Sequence, residues 1–350
     1  GGRLRTGRTG ESHPGEESSV GEKVMYEASL LRSFNIYIVE NLSHSIISLV
    51  IVIAALSIFG IRQPASRIKF LLIPVVLPAM AAPLYYLISP DRFGLPVLDV
   101  DDWLNIEAFI ERSTYAVRAS YIFTFIILTV ASFVIFKGII SLAAVIWLPR
   151  RYPCVSSNQH PQIYAILDRV LKIAHTKRPL ILLYPGCDIL CCAFGFRQPY
   201  LLISKGALGS LSQDELEVVV AHEVGHIQRW DSWLGFIVLT FRNIFFFNPV
   251  VLLLCSPILK NAELAADELA LSFGPNRLSY VESLVKISRI WNGFSVKNSS
   301  VTCHFIRGRA ALKSRVLYAL EENPMVTYPK TNWIFSGTLV ILIIGLFFIC

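Results

Sequence analysis

Ala221-His222-Glu223-Val224-Gly225-His226 sets two histidines four residues apart, with a glutamate directly after the first. On a helix, residues at i and i+4 share a face, so both imidazoles can grip one metal ion. Two neutral nitrogen ligands suit Zn2+, and a catalytic zinc site wants one further protein ligand and an open position for water. Zinc lowers the pKa of such a water to about 7, and the Glu223 carboxylate is placed to take its proton as general base. The hydroxide would then attack a peptide carbonyl.

A surface helix with two solvated histidines has the same spacing, and the flanking sequence argues against it. Ser212-Gln213-Asp214-Glu215 is a capping box, with Leu211 and Leu216 at the staple positions. It predicts a helix that starts near Ser212 and carries Leu216, Val219 and Val220 into the histidine motif.

Downstream, Asn261 to Glu268 forms a second helical stretch, ended by Gly274-Pro275. Glu263 and Asp267 are one turn apart on one face. Glu263 is the expected third ligand. Asp267 is expected to accept a hydrogen bond from a ligand histidine's second nitrogen and fix its tautomer. With Glu268 beside them, the same residues also fit an ordinary acidic helix face, and the local sequence leaves both readings open. Between the two stretches, Leu234–Leu259 is apolar but carries Arg242, Asn243, Asn248, Pro249 and Pro257. A fifth membrane crossing there would separate the ligands, so the expectation is a re-entrant or membrane-resting helical hairpin, bent near Asn248-Pro249.

Composition sets these helices in a membrane protein. Hydrophobic residues make up 54% of the chain and charged residues 16%, and the mean hydropathy is +0.55, all far to the apolar side of a soluble chain. Runs at Leu42–Ile61, Phe70–Ser89, Tyr121–Leu148 and Trp333–Cys350 are long enough to span a bilayer. Pro74, Pro78 and Pro83 predict a kink in the second, and Lys137-Gly138 either a tilt or a break in the third. The loop at 62–69 and the pair Arg150-Arg151 are basic, whereas 90–120 is acidic. Lysine and arginine bias then places residues after 149 on the cytosolic side. The expected architecture is a multi-pass α-helical membrane protein with a cytosolic α+β, zincin-like domain, about four transmembrane helices and a membrane-associated hairpin. The expected divisions are a disordered leader at 1–24, before the first methionine Met25; three transmembrane helices within 25–148; a cytosolic metallopeptidase domain at 149–331; and a last transmembrane helix at 332–350. The net charge of +7 is spread over membrane flanks rather than gathered in a stripe, so nucleic-acid binding is not expected.

The cytosolic stretch opens with an amphipathic helix, Gln162–Ala174, followed by β-type runs at Leu180–Tyr184, Ile189–Phe194 and Tyr200–Ser204. Pro185-Gly186 and Gly195–Pro199 split them as in a small antiparallel sheet. Tyr200–Ser204 or its neighbour is expected to be the edge that pairs with an extended substrate. The cysteines, odd in number and without a C-x-x-C pair, read as reduced and mostly buried thiols. Residues 277–320 read as helical, with Leu278, Val281 and Val285 on one stripe. His304, Arg307, Arg315 and Tyr280 are donors of the right type for a developing oxyanion, with nothing to choose among them.

Leu211 to Leu216, His222 to Asp231, Phe247-Asn248-Pro249 and Glu263 to Glu268, in this order, resemble the BlaR-type membrane metallopeptidases, named for a β-lactam sensor that inactivates a gene repressor. The resemblance covers residues from about 42 to 350 and departs at Ala266, where family members often have a cysteine that is not a ligand. It implies Zn2+ held by His222, His226 and Glu263, with Glu223 as the base. No penicillin-binding region follows the last apolar run, so a direct β-lactam sensor is not expected. The motifs are also similar to those of the HtpX-like and CAAX-processing membrane proteases. The expected protein is therefore a zinc metalloendopeptidase of the gluzincin type, multi-pass in the plasma (inner) membrane with its catalytic domain facing the cytoplasm. Its expected partners are the lipid bilayer and a protein or peptide substrate, such as a repressor or other regulator. HtpX-like quality control is the runner-up, and a non-catalytic sensor with a structural zinc site is the rival from another class.

Overall fold

The computed structural model describes residues 37–88, 114–293 and 309–321, with residues 337 and 341. The leader 1–24, most of the acidic loop, His304, Arg307 and nearly all of the last apolar run lie outside these residues. In chain order the elements are α1 (Tyr37–Ile58), α2 (Pro64–Ile88), α3 (Thr114–Arg151), α4 (Pro161–Ala174), β1 (Leu180–Tyr184), β2 (Cys191–Phe194), β3 (Tyr200–Ser204), α5 (Lys205–Ser210), α6 (Gln213–Gln228), α7 (Asp231–Ile244), α8 (Pro249–Ser272), α9 (Arg277–Gly293) and α10 (Arg309–Leu320).

By length and composition, α1 and α8 are the described helices that could cross a membrane. The basic loop is shorter than expected: Pro64 opens α2, as its fixed φ favours, so Arg67 and Lys69 stand in that helix's first turns. α3 continues without a break at Lys137-Gly138, and Lys137 Nζ sits 4.9 Å from the Phe133 ring centroid. Its 38 residues would span about 57 Å at about 1.5 Å per residue, nearly twice a bilayer core. Phe125, Phe133, Phe136 and Ile139 face outward along it.

The stretch expected to be a hairpin is α7 and α8, joined by a turn at 245–247. Asn248 caps α8, its Oδ1 accepting from the Val250 and Val251 amides, while its Nδ2 donates to Asn41 Oδ1 and Ser45 Oγ of α1. The second arm does not stop at Leu259 but runs on to Ser272. Its first half packs Val251, Leu254 and Ile258 against Ile68, Leu71 and Val75 of α2. Its second half places Ala270 in another core with Ile166 of α4, Ile203 of β3, Val224 of α6 and Tyr280 of α9. Fully burying a large aliphatic side chain contributes about 1.5–3 kcal/mol, so α8 is held at both ends. Glu263 and Asp267 stand where the two cores meet.

Ile163, Ile166, Leu167, Val170 and Ala174 are the buried stripe of α4, as its periodicity predicts. The sheet corrects the sequence expectation. Its order is β1-β3-β2, with β2–β3 antiparallel but β1–β3 parallel. Pro185-Gly186 does not close a hairpin; it begins a crossing over the end of β3. There the Gly206 amide donates to the Gly186 carbonyl, and a β-carbon on Gly206 would stand 1.9 Å from the Cys187 carbonyl oxygen. Tyr200–Ser204 is consequently the central strand and cannot be a substrate edge. Residues 153–155 cover β1, the Val155 amide donating to the Ile181 carbonyl, and β2 is the outer strand on the α6 side. None of the described cysteines is in a disulfide, and Cys154 and Cys187 are exposed rather than buried. Leu278 is exposed too, whereas Val281 of the expected stripe is buried together with Tyr280.

Candidate metal centre

The capping box closes in both directions. Ser212 Oγ accepts the Glu215 amide at 3.3 Å, and Glu215 Oε2 accepts the Ser212 amide at 2.9 Å. Lys286 of α9 pairs with the same glutamate. With its start anchored, α6 presents His222 and His226 on one face, their Nε2 atoms 3.1 Å apart. α8 crosses α6 with its small residues Ala262, Ala265 and Ala266 inward. That brings Glu263 Oε2 to 3.5 Å from His222 Nε2 and Oε1 to 3.6 Å from His226 Nε2. Among the described residues, these three form the cluster able to hold a metal ion.

The geometry fits zinc. Bonds of about 2.0–2.1 Å in a tetrahedral site place ligand atoms about 3.3–3.4 Å apart, close to the separations seen. Glu263 Oε2 is buried and has no hydrogen-bond partner. Glu223, Asp231, Glu263 and Asp267 face only Arg229 and Arg315 here. With both histidines neutral, as metal ligation requires, the formal charge of −2 left over suits a divalent cation. An ordinary acidic helix face does not match, because the Glu263 side chain is 13% exposed and Asp267 not at all.

Each histidine is held from behind. His222 Nδ1 lies 3.0 Å from Asp267 Oδ1, and His226 Nδ1 lies 2.8 Å from Asp231 Oδ2. A carboxylate only accepts, so both Nδ1 atoms carry hydrogen and both Nε2 lone pairs are left for a metal. The partner of His226 was not foreseen from sequence. Trp230 adopts a left-handed φ of 59° and turns Asp231 back toward α6, where Arg229 Nε donates to it at 3.2 Å. The available signal was an acid just beyond the ligand helix with a base two residues before it.

Asp267 is the hub. Besides His222 it accepts from Tyr280 OH at 2.6 Å, Arg315 Nη2 at 2.6 Å and Arg315 Nε at 2.8 Å. Tyr280 and Arg315, two of the expected oxyanion donors, are thus turned to this carboxylate instead. Glu223 is 6% exposed, and its Oε2 accepts the Ala193 amide of β2 at 2.6 Å.

Burial pushes the Glu223 carboxyl above its usual range, although His226, His222 and the Ala193 amide work against it. At His222, burial and Arg315 press the pKa down, but the neighbouring carboxylates of Asp267 and Glu263 outweigh them and it is pushed up to about 9. Burial likewise opposes protonation of His226, and the bond to Asp231 and the charge of Glu263 raise it overall. Without a metal the cluster therefore holds protons that a cation must displace.

Residues 40–319 match the family described as BlaR1 peptidase M56. The chain belongs to that family. Together with its apolar helices, membership marks a membrane-associated protein of a peptidase family. Over 81 residues it is 35% identical to a protease HtpX homolog of Trichormus variabilis, covering 22% of this chain and 28% of that one. Over 99 residues it is 27% identical to the regulatory protein BlaR1 of Bacillus licheniformis, covering 28% of this chain and 16% of that one. The chain thus spans under a third of the length of these curated relatives. The crystal structure of S. mikatae Ste24p is 16% identical with a TM-score of 0.32, over 71% of this chain and 75% of that one.

Proposed function

We propose that this protein is a zinc-dependent membrane endopeptidase that cuts a protein substrate on the cytosolic side, in the regulated proteolysis of a repressor or other regulator. The observation that carries this reading is the meeting of His222, His226 and Glu263 within 3.1–3.6 Å, with Glu223 on the same helix turn. His222, His226 and Glu263 would hold Zn2+, with Asp267 and Asp231 fixing the histidine tautomers. When bound, the ion would lower the pKa of a water to about 7 and supply a positive charge for the substrate carbonyl. Glu223 is the general base. Burial raises its proton affinity, and its place beside the ligand histidines lets it take a proton from the attacking water and return it to the leaving amine. An extended peptide would add to the outer strand β2 by backbone hydrogen bonds, next to the amide that already contacts Glu223. Three ligands without a fourth among the described residues favour a catalytic over a closed structural site.

The cytosolic orientation and the four-span arrangement rest on the basic flanks and the apolar runs of the sequence. Closer local identity to the HtpX homologues than to BlaR1 supports quality control of membrane proteins as the second reading. Zinc content and casein cleavage, compared in detergent for wild type and Glu223→Ala, test the proposal. About one zinc per chain in both, with cleavage lost in the variant, is the expected result. A wild type that takes up no zinc after reconstitution ends this reading.

A further inference from the structure

We propose that Arg315 of α10 is the positioning residue for His222, orienting its ring through the Asp267 carboxylate and by direct contact, and thereby setting the metal affinity of the site. This inference rests on the zinc-site reading above. Arg315 is 6% exposed and reaches groups on both ligand-bearing helices. Its Nε and Nη2 form a two-pronged contact with Asp267 Oδ2 and Oδ1 at 2.8 and 2.6 Å. Its Nη2 also lies 3.3 Å from His222 Nδ1 and 3.4 Å from Nε2. Such nearly equal distances put the nitrogen over the face of the imidazole, not in line with either lone pair. Its Nη1 is 3.4 Å from Glu263 Oε2.

The geometry gives the guanidinium two tasks. First, the planar fork fixes the rotation of Asp267, so that Oδ1 stays where the His222 Nδ1 hydrogen points. A carboxylate free to turn would no longer dictate the tautomer that leaves Nε2 open. Secondly, the guanidinium lies against the ring through Nη2 and restricts its rotation away from Glu263. Tyr280, whose hydroxyl donates to Asp267 Oδ1, holds the same oxygen from the other helix of the α9–α10 pair. The α10 helix is itself tied to α9, since Arg277 Nη1 donates to the Glu321 carbonyl at 2.6 Å. The orientation of a zinc ligand on α6 thus depends on a helix 93 residues away in sequence.

Zinc dissociation constants by chelator competition, and visible spectra of the cobalt-substituted protein, test this on the full chain in detergent. Arg315→Met is expected to weaken zinc about 10–100-fold and to alter the cobalt spectrum, as loss of an outer partner of a ligand does. Arg315→Lys keeps the charge but not the fork. It is expected to retain the wild-type far-UV spectrum while still weakening zinc at least several-fold, which a purely structural role does not require. Combining Arg315→Lys with Asp267→Asn should weaken zinc by less than the product of the two separate losses, because the two act together. Wild-type affinity and an unchanged cobalt spectrum in Arg315→Lys overturn the proposal, as do losses that simply multiply. A wild type that binds neither metal overturns the zinc-site reading itself, a result distinct from tight metal binding that ignores Arg315.

Discussion

Gly225 of α6 faces Ala266 of α8 so closely that a β-carbon on the glycine would stand 3.0 Å from the Ala266 carbonyl oxygen and 3.4 Å from its Cα. Nothing but hydrogen fits comfortably between the two backbones. The contact lies one residue before His226 and three after Glu263, so it sets the distance over which the helices would share a metal.

Widening this contact should damage the metal centre before it damages the fold. Gly225→Ala gains about 1 kcal/mol of helix propensity but presses on the backbone of a helix that is packed into a core on either side of this point. Its expected phenotype is near-normal thermal stability with weakened zinc. Gly225→Val adds two more carbons and should abolish stoichiometric zinc. Chelator competition and melting in detergent measure the two effects separately, and a valine variant with wild-type zinc affinity would show that the helices can part without cost.

Asp231 and Asp267 make the same bond to a histidine but differ in what surrounds them. Asp267→Asn leaves the buried Arg315 without its carboxylate, a loss that typically costs about 3–5 kcal/mol. Asp231→Asn deprives Arg229, whose side chain is 15% exposed, and water can compensate. Both variants should weaken zinc about 10–100-fold, and only Asp267→Asn should show a large fall in melting temperature. Equal melting temperatures would mean that the Asp267–Arg315 pair adds little to stability.

What could be read from the sequence was local. The capping box at Ser212, the histidine spacing and the stripe of α4 each depend on residues within a few turns, and the structure contains them. Glu263 and Asp267 were visible as one-turn neighbours, but only the crossing of α6 and α8 at Gly225 separates them from Glu268. Strand positions followed from residue type, whereas pairing did not: Pro185-Gly186 punctuates a crossing as well as it punctuates a hairpin. Asp231 needed the left-handed turn at Trp230, which a bulky residue rarely adopts. Arg315 reaches His222 across 93 positions, and no periodicity links them.

Zinc affinity should rise with pH through the neutral range. In the metal-free protein His222 has its pKa pushed up to about 9, so at pH 7 it carries a proton that zinc must expel. The apparent affinity is expected to fall at least about tenfold for each pH unit below about 9, with at least about one proton released per zinc at pH 7. The sign for folding is opposite. A raised histidine pKa stabilises the metal-free fold fully below about 6.5, its unfolded value, and that contribution fades as pH rises through about 9. Calorimetry in buffers of different ionisation enthalpy counts the protons, and zinc binding with no proton release at pH 7 would contradict the assignment.

Ala193 offers a way to separate zinc binding from peptide handling. Its amide points away from β3 and donates to Glu223 Oε2, so β2 does not need that hydrogen for its own ladder. Proline is tolerated on an outer strand where the missing amide faces outward. Ala193→Pro should therefore keep the sheet and the zinc, since His222, His226 and Glu263 do not touch this residue. It removes the donor that positions the general base and places a ring where an added peptide strand would lie. Cleavage of casein should fall about 100-fold or more while zinc per chain stays at the wild-type value. Retained cleavage would mean that substrate does not pair along β2 and that Glu223 finds its position without the Ala193 amide.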